Sequence, residues 1–190
     1  HILRVNVQVL YKNLNDFIYT YRNNNAYSRD DYASDFPGLS NPIPVGENNW
    51  SLVQQRNGER VNVYGFEVAA QRQLDFLPTK FLKGFGVYLN YTYTKSEAKG
   101  ITNNDGEERN GLGLPGTAPH IFNASLSWEN NRFSTRISLN HTADYLDELG
   151  GSSFEDRYYD KQTFVDANAS YKITDNLRVF AEANNLTNQP

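Results

Sequence analysis

The sequence predicts an all-β protein, an antiparallel transmembrane β-barrel to which this chain contributes about seven strands as part of a single domain. Apolar and polar residues alternate with period two along most of the chain, the mark of strands with one polar and one apolar face. Short and long connections between those strands alternate strictly. The apolar face carries Tyr, Phe and Trp near strand ends, where a membrane barrel places its aromatic girdles.

The strands follow in order. Leu3, Val5, Val7, Val9 and Tyr11 oppose Arg4, Asn6, Gln8 and Lys12, and the run is expected to continue through Phe17 to Tyr21. A second runs from about Val61 to Phe76, with Tyr64, Phe66, Val68 and Ala70 opposite Gly65, Glu67, Gln71 and Gln73. The third sets Phe85, Val87, Leu89, Tyr91 and Tyr93 against Gly86, Asn90, Thr92 and Thr94. Phe122, Ala124, Leu126 and Trp128 form the apolar face of the fourth. Phe133, Ile137, Leu139 and Tyr145 form that of the fifth, against Ser134, Arg136, Ser138 and Asn140. Val165, Ala167, Ala169 and Tyr171 oppose Asp166, Asn168, Ser170 and Lys172 in the sixth. Leu177, Val179, Ala181 and Ala183 oppose Arg178, Glu182 and Asn184 in the last.

Short connections are expected at residues 77–83, 129–131 and 174–176, the last two with the Asn and Asp that suit tight hairpins. Long polar loops are expected at about 23–59, 99–117 and 146–162. Outer-membrane barrels sort their connections this way, with short periplasmic turns and long extracellular loops. A soluble sandwich has no reason to.

Composition narrows the function classes. Mean hydropathy is -0.68, and no stretch approaches the ~18 apolar residues of a transmembrane helix. That leaves barrels open, because only every second residue of their strands meets lipid. A net charge of -4 without a basic stripe argues against nucleic-acid partners. Cysteine is absent, which removes disulfides, thiolate zinc sites and cysteine nucleophiles. The chain opens at His1 on a strand-like run with no start residue or leader, so an internal piece of a longer protein is expected.

Charges on the polar face place that face inward, since Arg or Lys facing lipid at the midplane costs ~2–4 kcal/mol. Glu67, Arg136, Asp166, Arg178 and Glu182 are therefore expected to face a polar lumen. Gly111-Leu112-Gly113-Leu114-Pro115-Gly116 matches a dinucleotide fingerprint in letters only. No strand precedes it, no helix follows, and it reads as a loop returning to the membrane. Asn-x-Ser/Thr triplets at Asn90, Asn123, Asn140, Asn168 and Asn185 read as lumen-lining strand residues rather than glycosylation sites. His120 and His141 have no metal-ligand spacing, and no Ser, His and Asp set stands out, so no catalytic, cofactor-binding or metal-binding group is expected.

Recognition falls to the loops. Asp105, Glu107 and Glu108 around Gly106 resemble a calcium loop only faintly, because Ile101 stands where the first Asp is needed. A second acidic region runs from Asp144 through Asp147, Glu148 and Glu155 to Asp160. Arg22, Tyr27, Arg29, Tyr32, Trp50, Asp156, Tyr158 and Tyr159 are the loop residues suited to contact a ligand, the aromatics by stacking and the arginines by binding anionic groups.

In this order the sequence resembles the C-terminal barrel region of TonB-dependent outer-membrane receptors. The resemblance is carried by Tyr11-Lys12-Asn13-Leu14-Asn15-Asp16-Phe17-Ile18-Tyr19, Gly65-Phe66-Glu67-Val68, and Asn90-Tyr91-Thr92-Tyr93-Thr94. It continues in Leu114-Pro115-Gly116-Thr117-Ala118-Pro119-His120 and Asn185-Leu186-Thr187-Asn188. The loop wording is most similar to receptors of the Bacteroidetes type.

The resemblance implies a barrel of about 22 strands, filled by an N-terminal plug, with one more strand after Pro190 and energy supplied through periplasmic TonB. The implied function is energy-coupled uptake of a siderophore, cofactor, glycan or peptide across the bacterial outer membrane. Expected partners are outer-membrane lipid and lipopolysaccharide, the remaining strands and plug of the same barrel, and TonB. A surface lipoprotein or envelope complex is a further expected partner. Rival readings are a passive porin or structural barrel subunit, an outer-membrane enzyme, and a soluble β-sandwich binding module. An odd strand count does not close a barrel, so the sheet is expected to need further strands at both edges.

Overall fold

The computed structural model describes residues 2–190. Its frame is a seven-stranded antiparallel sheet in the order β1-β4-β5-β8-β9-β12-β13. These strands are β1 (Arg4–Asn15), β4 (Arg60–Gln73), β5 (Phe85–Lys99), β8 (His120–Glu129), β9 (Phe133–Thr142), β12 (Gln162–Thr174) and β13 (Leu177–Ala183). Each frame strand pairs with its neighbours along the chain, as in an up-and-down wall. The remaining strands form three small hairpins in the long connections: β2 (Ile18–Tyr27) with β3 (Trp50–Asn57), β6 (Ile101–Thr102) with β7 (Glu108–Arg109), and β10 (Tyr145–Glu148) with β11 (Arg157–Tyr159).

Register joins the alternation of each strand into one face. Val7 lies opposite Val68, Val68 opposite Tyr91, and Tyr91 opposite Phe122. Further along, Leu126 faces Ile137, Ile137 faces Ala167, and Ala167 faces Ala183. Across the middle of this face no charged residue occurs, and Val9 (82% exposed) and Ile137 (52%) stand in the open. Such a contiguous apolar surface belongs in lipid.

Aromatics edge it on both sides. At the short-turn end, Phe85, Phe81, Trp128 and Phe133 contact in series at ring distances of 5.3–5.8 Å. At the other end Phe66 lies between Tyr91 and Tyr93, and His120 packs on both tyrosines. Phe85 and Tyr93 are separated by about 27 Å along β5 at ~3.4 Å per residue. Tilted by ~40°, that becomes roughly 20 Å, near the ~25 Å apolar band of outer-membrane barrels.

The first run stops earlier than its alternation suggests. β1 ends at Asn15, Asp16 adopts a left-handed φ of 54°, and β2 begins at Ile18. Asp16 N donates to Glu59 O (3.0 Å) and Gly58 N to Phe17 O (2.8 Å), so the hairpin bends without losing its pairing. Gly58 permits the bend, because a Cβ there would sit 2.2 Å from the Phe17 ring. Tyr145 likewise leaves the fifth strand and opens β10. Residues 74–84 are no tight turn but hold a short helix, α2 (Lys80–Lys83), capped by the Thr79 hydroxyl.

The buried core is displaced from the wall. Tyr19, Tyr21, Ile101, Leu146 and Leu149, all from the long connections, pack on Val61 and Ala98. Val61 and Ala98 share the face of Glu67 and Asn90, so the loops fold over the polar side. In a membrane barrel such a polar side is the one that turns to the lumen.

Candidate ligand vestibule and lumenal wall

The loop layer is held by polar bonds between segments far apart in sequence. Arg109 forms a two-pronged pair with Asp156, its Nη1 donating to Oδ1 at 3.0 Å and its Nη2 to Oδ2. Both side chains are nearly buried, at 10% and 2% exposure. Asp156 also accepts from Gly150 N at 2.9 Å. The hydrogen bond to Asp156 raises the Arg109 pKa, against burial, which acts to lower it.

Glu148 is a second node. It accepts from Arg22 of the first long connection and from Arg157 Nη1 at 2.9 Å. The Tyr19 hydroxyl shares a hydrogen bond with the Thr102 hydroxyl (3.1 Å) and accepts from Thr102 N. Asn104 N donates to Gly151 O, and Gly116 N to Leu146 O, both at 2.8 Å. All three long connections are thereby tied into one body.

The eight loop residues singled out from sequence divide by surroundings. Arg22 pairs with Glu148 and Asp156 with Arg109, so both organise the layer. Tyr27 is buried, and its hydroxyl donates to Asp35 Oδ2 at 2.6 Å. Burial, then that bond and the negative charge of Asp35, push the phenol pKa well above its usual value. Arg29 opens the helix α1 (Arg29–Asp35) and donates to Ile43 O, while Tyr32 packs tilted against Phe36 at 4.8 Å. Trp50 is 44% exposed, with Nε1 bonded to Glu47. Tyr158 is 62% exposed, and Tyr159 stacks on Tyr145 at 5.5 Å. The structure thus leaves Trp50, Tyr158 and Tyr159 with open faces.

The acidic knot at 105–108 is a turn. Asn103 Oδ1 accepts from Asp105 N and Glu107 N, and Gly106 takes a left-handed φ of 78°. No trio of His or carboxylate side chains gathers to hold a metal among the described residues. The glycine-rich stretch is a loop, with Leu114 N bonded to Ser96 Oγ. His120 and His141 lie on the outer face, bonded to the Tyr91 and Thr163 hydroxyls.

On the lumenal face the asparagines form a rail. Asn140 Nδ2 donates to Asn123 Oδ1 (2.6 Å), Asn123 Nδ2 to Asn90 Oδ1 (3.3 Å), and Asn90 Nδ2 to Glu67 Oε1 (2.7 Å). Asp166 shares this face and accepts from Asn185 N at 2.8 Å. Asn185 lies beyond β13, not in a strand, with φ 55°, and it closes a turn by accepting from Gln189 N. By register Arg136 lies opposite Asn168, Glu182 opposite Asn168, and Arg178 opposite Lys172. Arg4, Gln71, Tyr88, Ser125, Ser127 and Arg136 border an open groove of about 760 Å³, part polar and part apolar, toward the short-turn end.

Sequence reasoning missed Arg109, whose place beside an acidic turn gave no hint of a partner at Asp156. The rail was detectable, since Asn recurs at matching lumenal positions of three successive frame strands.

Comparison with known proteins agrees with this geometry. Residues 2–186 match the family model described as TonB dependent receptor-like, beta-barrel. The chain is 29% identical over 153 residues to an iron-regulated outer membrane virulence protein of Vibrio cholerae, covering 79% of this chain and 22% of that protein. It spans about a fifth of the curated relatives it matches. Among solved structures, the copper transporter OprC superposes with a TM-score of 0.61 at 15% identity, over 97% of this chain and 23% of the other. A mutant ferric enterobactin receptor, PfeA of Pseudomonas aeruginosa, in complex with enterobactin gives 0.55 at 14% identity, over 97% and 24%. At these identities the likeness speaks for the fold alone. With the family model matched along nearly its whole length, the chain belongs to the TonB-dependent receptor β-barrel family and forms wall and loops of a bacterial outer-membrane barrel.

Proposed function

We propose that the chain supplies wall strands and three interlocked extracellular loops to a receptor that takes up a ferric chelate through the outer membrane, driven by periplasmic TonB. The observation that carries the reading is the loop layer itself. Three long connections share one buried core over the polar face, leaving Trp50, Tyr158 and Tyr159 with open aromatic faces and Arg157 exposed at 71%. Open aromatic faces and the exposed Arg157 guanidinium, which bonds Glu148 through one nitrogen, suit an anionic chelate whose ligand carries aromatic rings. An iron-regulated relative and a neighbour solved with enterobactin support that choice over a glycan, cofactor or peptide. A plug from the same protein fills the lumen in this reading, with lipopolysaccharide and a surface lipoprotein as further partners.

The test is uptake of labelled ferric chelates by cells carrying the full-length receptor, with and without TonB. Accumulation that needs both receptor and TonB is expected. Equal accumulation without TonB would identify a passive pore. Accumulation of labelled glycan or peptide, but no chelate, would reassign the cargo.

A further inference from the structure

The outer face of β1, β4 and β5 carries a feature that cargo uptake does not use. Val7, Val9, Tyr11, Tyr64, Phe66 and Tyr93 line a groove of about 500 Å³, almost wholly apolar, on the lipid side. It sits over β4, between β5 and the edge strand β1.

Toward the long-loop end the same face turns cationic. Lys95 lies opposite Tyr64, and Arg60 lies opposite Lys99. Alternation puts Arg60, Lys95 and Lys99 outward with Tyr64, Phe66 and Tyr93. Lys95 is held by Glu97 at 2.9 Å. Among the described residues no carboxylate pairs with Arg60 or Lys99. Two like charges directly across a strand pair repel, and against the three cations of this face stands one carboxylate, Glu97, which is engaged with Lys95 and also acts on Lys99. Arg60 stands about 13 Å along the strand from Tyr64, which separates headgroup from acyl region. The long-loop end faces the cell exterior, so the adjoining lipid belongs to the outer leaflet, where the phosphorylated glycolipid resides.

We propose that this strip binds a phosphorylated, multiply acylated glycolipid of the outer leaflet, with an acyl chain in the groove and a phosphate held between Arg60 and Lys99. Facing side chains reach one phosphate together, and long cationic side chains lie along apolar surface while presenting their charge at the headgroup level.

The test uses the full-length receptor in detergent, titrated with bisphosphorylated lipid A, dephosphorylated lipid A and phosphatidylglycerol, with bound lipid read by native mass spectrometry. Bisphosphorylated lipid A is expected to bind best. The Arg60→Gln/Lys99→Gln variant should weaken it by about thirtyfold, on the order of fivefold per cation. Lys12→Gln, a charge loss on the opposite face of the neighbouring β1, should leave binding unchanged. Val9→Trp fills the groove, keeps the cations and suits lipid, and it should also weaken binding. Folded barrels are identified throughout by heat-modifiable gel mobility. Wild-type affinity in both the double variant and Val9→Trp, or equal binding of phosphatidylglycerol, would overturn the proposal.

Discussion

The wall and the loop layer of this chain solve folding in opposite ways. In the wall, large apolar side chains point out and polar ones point in, and backbone hydrogen bonds between neighbouring strands provide the order. In the loop layer, apolar side chains are buried in a small core, and charged residues act as rivets between segments. Arg109 and Asp156 are 47 positions apart, and Arg22 and Glu148 are 126 apart. The wall therefore depends on which face a residue occupies, whereas the loops depend on which partner it finds.

The sharpest way to break this contrast is to remove one rivet. Asp156→Ala leaves the Arg109 guanidinium nearly buried without its partner, a change that costs about 3–5 kcal/mol. Hydrogen exchange should then rise across residues 100–119 and 143–161 while the barrel keeps its heat-modifiable mobility. Unchanged protection in those segments would show that the layer does not rely on the pair.

In the wall, neighbouring positions should respond oppositely. Ile137→Arg places a cation on the lipid face at a cost of ~2–4 kcal/mol, whereas Ser138→Arg points into the lumen and should cost little. Folding titrations into bilayers would measure both. Equal penalties would refute the assignment of faces.

A smaller loss, about 1 kcal/mol, is expected for Asn123→Ala, which interrupts the rail between Asn140 and Asn90. The same titration would detect it, and a neutral result would mean that lumenal water replaces the amide fully.

Tyr27 offers the mildest test. Its folded pKa lies above the unfolded value, so its contribution is complete below ~10 and is lost as pH rises beyond that. Tyr27→Phe removes the bond to Asp35 for about 1 kcal/mol. The variant should lose the difference in loop protection between neutral and strongly alkaline pH. If wild type and variant respond identically to alkali, Tyr27 is not the group involved.

The wall was legible in sequence because its code is local: each residue declares its face by its neighbours two positions away. The end of β1 was not. Alternation runs on through Ile18 and Tyr19, and only the left-handed backbone at Asp16 and the fit of Phe17 against Gly58 bend the hairpin. In the loops, Asp156 reads from sequence as a residue suited to contact a ligand, yet it is nearly buried against Arg109. Nothing around Asp156 in sequence distinguishes it from exposed Asp160, because its partner comes from another loop.

The asparagine rail has a direction. Every amide in it donates toward β4, and the series ends on the Glu67 carboxylate. Asn123 and Asn90 each commit their carbonyl oxygen and one N–H to a neighbour, and Asn90 is buried, whereas Asn123 and Asn140 remain in contact with the channel. Because the rail crosses β9, β8, β5 and β4 at nearly matching register, it acts as a hoop, tying neighbouring strands side to side at one level of the wall by side chains as well as backbone.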